Sequence, residues 1–316
     1  MRYRALALFV AVGAIASSGV AQQTAFRPSL EKCPAQPAAA NIPSLKLLGP
    51  LATDKFDLEY ATLFSGVMEV KFTPKNGNGT LLFIGVEHVI SPNQDLFNYL
   101  ENSVSSVKPD EIFVEVDDTS YLAKLSSDKT RIIQTRGEPS YMGFIARQAN
   151  IPVLPLDPQP RNLFENLRKS FSANDIGIAF VLREIELARD RRHLFGEALE
   201  REASPALAEQ HRISKESGDN FAVVNIFQLT RAVDSRWRGL DWRQVPAEWF
   251  NPLLKSDFTD SKFVNTIFTE EMAIRDRHAL DLLLAQVILG KRVIALAGRS
   301  HAESHLQTLN CSMAGR

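Results

Sequence analysis

Two apolar runs that close in the same way set the strongest limit on how this chain can fold. Leu81-Leu-Phe-Ile-Gly-Val-Glu-His88 lies in the first third of the sequence, and Val293-Ile-Ala-Leu-Ala-Gly-Arg-Ser-His301 lies near its end. Each is short, lacks polar alternation and finishes in Gly-x-x-His. Such runs suit central strands of a parallel sheet, where both faces are covered and the period-two pattern disappears. Ligands of such sheets sit beyond the carboxyl ends of the strands. Two loops of this form can therefore bring His88 and His301 to one pocket, the glycine allowing the backbone to turn tightly before each histidine.

The segments between these runs extend the pattern. Leu63–Phe72 reads as a strand, Lys75-Asn-Gly-Asn-Gly79 as a turn and Thr80–Ile84 as its partner, a hairpin signal. A helix is expected from Leu96 to Val107, ended by Lys108-Pro109, and a strand over Glu111–Val116, giving a right-handed βαβ unit. Gly137-Glu-Pro139 opens a helix through Ala149, and Val153–Leu156 is a short strand ending at Asp157-Pro158. Residues 161–256 differ: they are charged, mostly helical and outside the βαβ rhythm. They read as a helical insert or layer, either packing or a lid. A long helix over Ser261–Leu289, capped by Gly290, precedes the last strand, and Ala302–Leu309 is the helix after it. The expected fold is α/β, with a central, mostly parallel sheet flanked by helices, in a single domain over residues 51–316.

The start of the chain has another character. Met1-Arg-Tyr-Arg4 is followed by an apolar run to Ala16 and small residues at Gly19 and Ala21, the pattern of a signal peptide over residues 1–21. An extended lead-in over residues 22–50 follows. No later run reaches the roughly twenty apolar residues of a membrane span, so the expectation is a secreted or periplasmic protein with no membrane span in the mature chain. The formal charge is −1, or −3 without Arg2 and Arg4, and no basic face points to nucleic acid. Cys33 and Cys311 are the two cysteines. In an oxidising compartment they suggest one disulfide joining the ends; two unpaired thiols are the alternative.

Residue chemistry singles out a few positions. His88 and His301 are candidate metal ligands as neutral imidazoles. Glu115, near the end of its strand, is costly to bury unless a cation or hydrogen-bond donors meet it. Arg275, with Asp276 beside it, lies in the long helix, and Glu271 four positions earlier offers an ordinary helical ion pair. Glu87 is a possible second carboxylate of the pocket. His305 is expected to face solvent or pack beside the site, and His193 and His278 to sit on charged helix faces. No Gly-x-Ser-x-Gly elbow, P-loop or Gly-x-Gly-x-x-Gly occurs, which leaves serine hydrolase, nucleotide triphosphatase and dinucleotide chemistry without their motifs.

Together, Gly85-Val-Glu-His88, the strand ending in Glu115, Arg275-Asp276 on a long helix and Gly298-Arg-Ser-His301 resemble the TraB/GumN and Tiki clan, related to erythromycin esterase-like and ChaN-like proteins. The resemblance covers about residues 80–157 and 260–309. It implies an α/β fold and, from the Tiki branch, a divalent-metal-dependent hydrolase of a peptide or ester bond. On that reading His88 and His301 hold Mn, Co or Zn, with Glu115 as a further ligand or general base. Arg275 then stabilises the oxyanion formed when metal-activated water attacks a peptide or small-molecule substrate. The ChaN-like branch implies an alternative, a haem- or small-ligand-binding module with a histidine as axial ligand. A third reading is a catalytically inactive interaction protein on the same fold.

Overall fold

A computed structural model of the chain describes residues 51–52, 56–75, 77–87, 94–126, 128–252 and 262–314. The expected signal and lead-in segments, His88 and Cys33 of the expected disulfide lie outside the described residues. The class is α/β, as the strand and helix signals imply. One seven-stranded sheet is built from β1 (Leu51–Ala52), β2 (Phe56–Thr62), β3 (Met68–Pro74), β4 (Thr80–Val86), β5 (Glu111–Val114), β6 (Val153–Pro155) and β7 (Arg292–Gly298). Their spatial order is β1-β2-β3-β4-β7-β5-β6. The contiguous strands β4, β7, β5 and β6 run parallel, while β1, β2 and β3 join antiparallel at one side.

The hairpin signal corresponds to the β3–β4 pair, with Met68 opposite Gly85. Its first strand begins later than the apolar pattern suggests. Leu63–Val67 is a tight turn in which Gly66 takes φ +76°, a conformation that glycine adopts cheaply.

Helix α1 (Gln94–Val107) follows β4 and α2 (Lys129–Gln148) follows β5; α7 (Lys262–Ile288) precedes β7 and α8 (Arg299–Ala314) follows it. Alternate residues of the central strands divide between two cores. Leu82, Ile84, Ile112, Val114, Ile294 and Leu296 pack under α1 and α2. Leu81, Phe83, Phe113, Val293 and Ala295 pack under α7 and α8. Right-handed crossovers account for this division. The chain steps outward through β4, β5 and β6 with helices on one face, then returns to β7 between β4 and β5 with its helices on the other.

Between β6 and α7 lie α3 (Pro160–Leu167), α4 (Ala173–Arg192), α5 (Glu197–Glu216) and α6 (Ile226–Arg236). These helices bury a core of their own, including Leu182, Leu207, Leu229, Trp242 and Trp249, which they share with Val264, Ile267 and Phe268 of α7. Helix α7 thus has two partners: its first half belongs to the insert and its second half, Ala279–Val287, covers the sheet. Arg275 and Asp276 sit at the change-over. The helix ends as expected, with Gly290 at φ +87° and Gly290 N–H donating to the Val287 carbonyl at 2.9 Å.

Gly85 serves packing and not the turn expected of it. It lies inside β4, and a Cβ there would meet the Ala302 Cβ at 2.5 Å and the Arg299 Cα at 3.1 Å. The glycine lets the first turn of α8 rest on the strand. Gly85→Ala should therefore destabilise the fold by about 1–3 kcal/mol, the usual cost of overpacking, read as an earlier urea midpoint. An unchanged midpoint would show that α8 does not need this close approach.

Candidate functional site

The helices after β4 and β5 lie on one face of the sheet and the helix after β7 on the other. The carboxyl end of β7 is therefore a topological switch point, where α/β sheets open a crevice. Val86 is opposite Gly298 in the parallel β4–β7 register, so the strands leading into the two Gly-x-x-His segments end side by side. Their loops are also tied together, since Arg299 Nη1 donates to Glu87 at 3.2 Å. Glu87 is thus a half-exposed link between loops and not a member of the buried cluster below.

Glu115 follows β5 at the same edge. One of its oxygens accepts the Gly298 backbone N–H at 2.6 Å, and the other accepts Arg275 Nη2 at 2.6 Å. Arg275 reaches back to Asp157 after β6, through Nε to Oδ1 at 2.8 Å and Nη2 to Oδ2 at 3.0 Å, the bidentate geometry that suits a guanidinium. Its Nη1 lies 3.5 Å from Glu271, the helical pair anticipated from spacing and the weakest of its contacts. Among the described residues, four of the five guanidinium N–H groups are committed, leaving one on Nη1. Arg275 is first a clamp on Glu115 and Asp157, and only that remaining hydrogen is available to an oxyanion.

His301 lies in the first turn of α8. Its Nδ1 lies 2.5 Å from Asp276 Oδ1, and its Nε2 lies 3.3 Å from Glu115 Oε1. Because an ionised carboxylate only accepts, Nδ1 carries the proton and donates to Asp276. Asp276 is 3 % exposed. His305, one turn further along α8, is buried and not solvent-facing; its ring lies edge-on to Phe83 at 4.7 Å, with Nε2 3.5 Å from Asp276.

The ionisation states follow from these contacts. Burial opposes the charge on His301, but the hydrogen bonds to Asp276 and Glu115 outweigh it and raise the imidazole to about 10. Burial also opposes the Asp276 carboxylate, which the hydrogen bond from His301 and the nearby His305 ring nevertheless hold well below the usual range. Asp157 moves the other way: burial raises it, against the lowering effect of Arg275. Arg275 is raised because Glu271, Asp157 and Glu115 surround it, in spite of its burial.

Without a metal, the His301 imidazolium contributes stability that is complete below its ordinary value of 6.5 and lost as pH rises through about 10. In chelator-treated protein the urea midpoint should therefore fall across that window, and the fall should flatten in Asp276→Asn. A midpoint level from pH 6.5 to 10 would contradict the pairing.

Among the described residues no group of three or more His, Cys, Asp or Glu is arranged to hold a metal. Two members of the expected ligand set, His301 and Glu115, do fit one. Ligands about 2.0–2.1 Å from a tetrahedral ion stand roughly 3.3 Å apart, and Nε2 and Oε1 are 3.3 Å apart. The Nδ1–Asp276 bond leaves Nε2 as the coordinating atom, the usual arrangement of a metal-bound histidine. Charge favours a cation as well. Glu115, Asp157, Glu271 and Asp276 face Arg275, His301 and Arg183, which lies 3.4 Å from Glu271. Once His301 is neutral, the carboxylates outnumber the cations by two when all are ionised.

Glu115, Arg275 and His301, all expected from the sequence, come together in the structure. Asp276 and Asp157 join them without having been expected as site residues. Neighbouring residues on a helix point about 100° apart, so Arg275 and Asp276 do not grip one partner. They instead grip different partners, Arg275 the strand ends and Asp276 the first turn of α8. The signal for Asp157 was the one that marked Glu115: an acid at the end of an apolar strand. No family model, curated protein or solved structure matches this chain.

Proposed function

We propose that this chain is an exported, metal-dependent hydrolase of TraB/GumN-like type, which attacks a peptide or ester bond with water. The observation that carries the reading is the convergence of Glu115, Asp157, Arg275, Asp276 and His301, from four separate parts of the chain, on the carboxyl edge of a parallel sheet. Asp276 fixes the ring of His301 so that Nε2 faces Glu115. Glu115, held by Arg275 and the Gly298 N–H, is oriented to accept a proton from water. His301, Glu115 and His88 are the residues that would hold Mn, Co or Zn. A divalent ion held there would supply Lewis-acid chemistry, polarising a substrate carbonyl and lowering the pKa of a bound water toward neutrality. Arg275 offers its remaining Nη1 hydrogen to the charge developing on the carbonyl oxygen.

The haem-binding alternative is weaker at His301, because its Nε2 faces the Glu115 carboxylate, a charged and not an apolar surface. A purely interactive role gives no reason to bury so many ionised groups. The test is hydrolysis of a panel of p-nitrophenyl esters and short peptides with Mn, Co or Zn added. Turnover lost on chelation, restored by one of these ions and absent in His301→Gln supports the reading. Turnover that survives chelation removes the metal from it, and no turnover under any of these conditions overturns it.

A further inference from the structure

We infer that the cleft between the helical insert and the sheet binds a peptide segment carrying a large apolar residue next to a basic one. In naming that peptide as substrate, the inference rests on the hydrolase reading above. The cleft has a volume of about 370 Å³ and ends at Arg275 and Asp157, one hydrogen bond from Glu115. Its size falls in the range of small-ligand sites, about 300–1,000 Å³.

Three features of the lining define what fits. The apolar wall is made of Leu163, Phe164 and Leu167 of α3, Ile176 of α4 and Ile213 of α5. Gln210 of α5 also lines the cleft and is only 8 % exposed, yet its amide makes no hydrogen bond among the described residues. A buried amide keeps its hydrogen-bonding capacity for something, and one donor beside one acceptor matches a peptide backbone unit. The third feature is charge. Of the acids lining the cleft, Glu209 is held by Arg212, Glu271 by Arg183 and Arg275, and Asp157 by Arg275. The Asp117 and Glu184 side chains lack an ion-pair partner among the described residues. Both are exposed at the rim, where they attract a cation and repel phosphates and carboxylates. An apolar wall, an open amide and two uncommitted acids together select an apolar–basic peptide over a fatty acid or a nucleotide.

The test is calorimetric titration of the full chain carrying His301→Gln, which separates binding from turnover. The probes are acetyl-Phe-Arg-amide, acetyl-Phe-Glu-amide and acetyl-Ser-Arg-amide. The first should bind about tenfold or more tightly than either of the others, the scale of one charge-assisted or apolar contact. Glu184→Gln combined with Asp117→Asn, both at the surface, should reduce the preference for arginine over glutamate to about threefold or less. Gln210→Leu should weaken the first probe about tenfold; if that variant does not fold, the rim pair carries the test. Equal affinity for the three probes, or a preference that survives the rim substitutions, overturns the inference. Selective binding with no turnover by the unsubstituted chain leaves the cleft and removes the hydrolase. Ester turnover without selective binding does the reverse.

Discussion

Arg275→Met should cost the fold about 3–5 kcal/mol, the scale on which an uncompensated buried charge is felt, and should be the most damaging single change in the site. The guanidinium is the common partner of Glu115, Asp157 and Glu271. Methionine fills similar space but leaves these carboxylates facing one another. The penalty should shrink as pH falls, because protonation then removes the repulsion, and Asp157, already raised by burial, should take up the first proton. Arg275→Lys keeps the charge but loses the bidentate grip on Asp157, so its cost should be smaller. Urea unfolding at several pH values reads all of this. Near-equal stability of the methionine variant and the parent would mean that the carboxylates are not held together by this residue.

The largest effect on turnover belongs to His301. His301→Gln retains a polar contact for Asp276 and nearly the same volume but removes the imidazole proposed to hold the ion, and kcat/KM should fall by more than the roughly 10–100-fold that losing a group behind such a ligand costs. Asp276→Asn should lower turnover about 10–100-fold, as expected of a group that orients a metal-binding histidine. The pair should not be additive: once His301 is gone, Asp276→Asn should do little more. Steady-state kinetics of the single and double variants on one ester substrate decide the matter. Two independent losses that multiply would show that Asp276 acts elsewhere than through His301.

Much of this was legible from local pattern. The apolar runs at Leu81 and Val293 are central strands, β4 and β7, adjacent and parallel, because continuous apolarity reports burial on both faces. Glu115 stood out because a carboxylate at the end of such a strand needs a partner, and His301 because its Gly-x-x-His segment repeats that of His88. Other features depended on distances that a sequence does not display. Strand β2, Phe56–Thr62, mixes polar and apolar residues and is a strand because β3 pairs along its whole length. Gly85 looked like a turn residue and is instead a clearance between a strand and a helix. Helix α7 lacks a single apolar stripe because it buries different faces against the insert and the sheet. The charged pair at its middle sits at the seam between two cores.

The central claim is that Asp276, His301, Glu115 and Arg275 form one buried, interdependent charge network, and nitrogen-15 NMR of the histidine side chains in chelator-treated protein tests it most directly. The network predicts a His301 ring protonated on both nitrogens above neutral pH, losing its charge near 10 in the parent and at lower pH in Asp276→Asn. A His301 ring that titrates near its ordinary value of 6.5 in the parent, and is unmoved by Asp276→Asn, would contradict it.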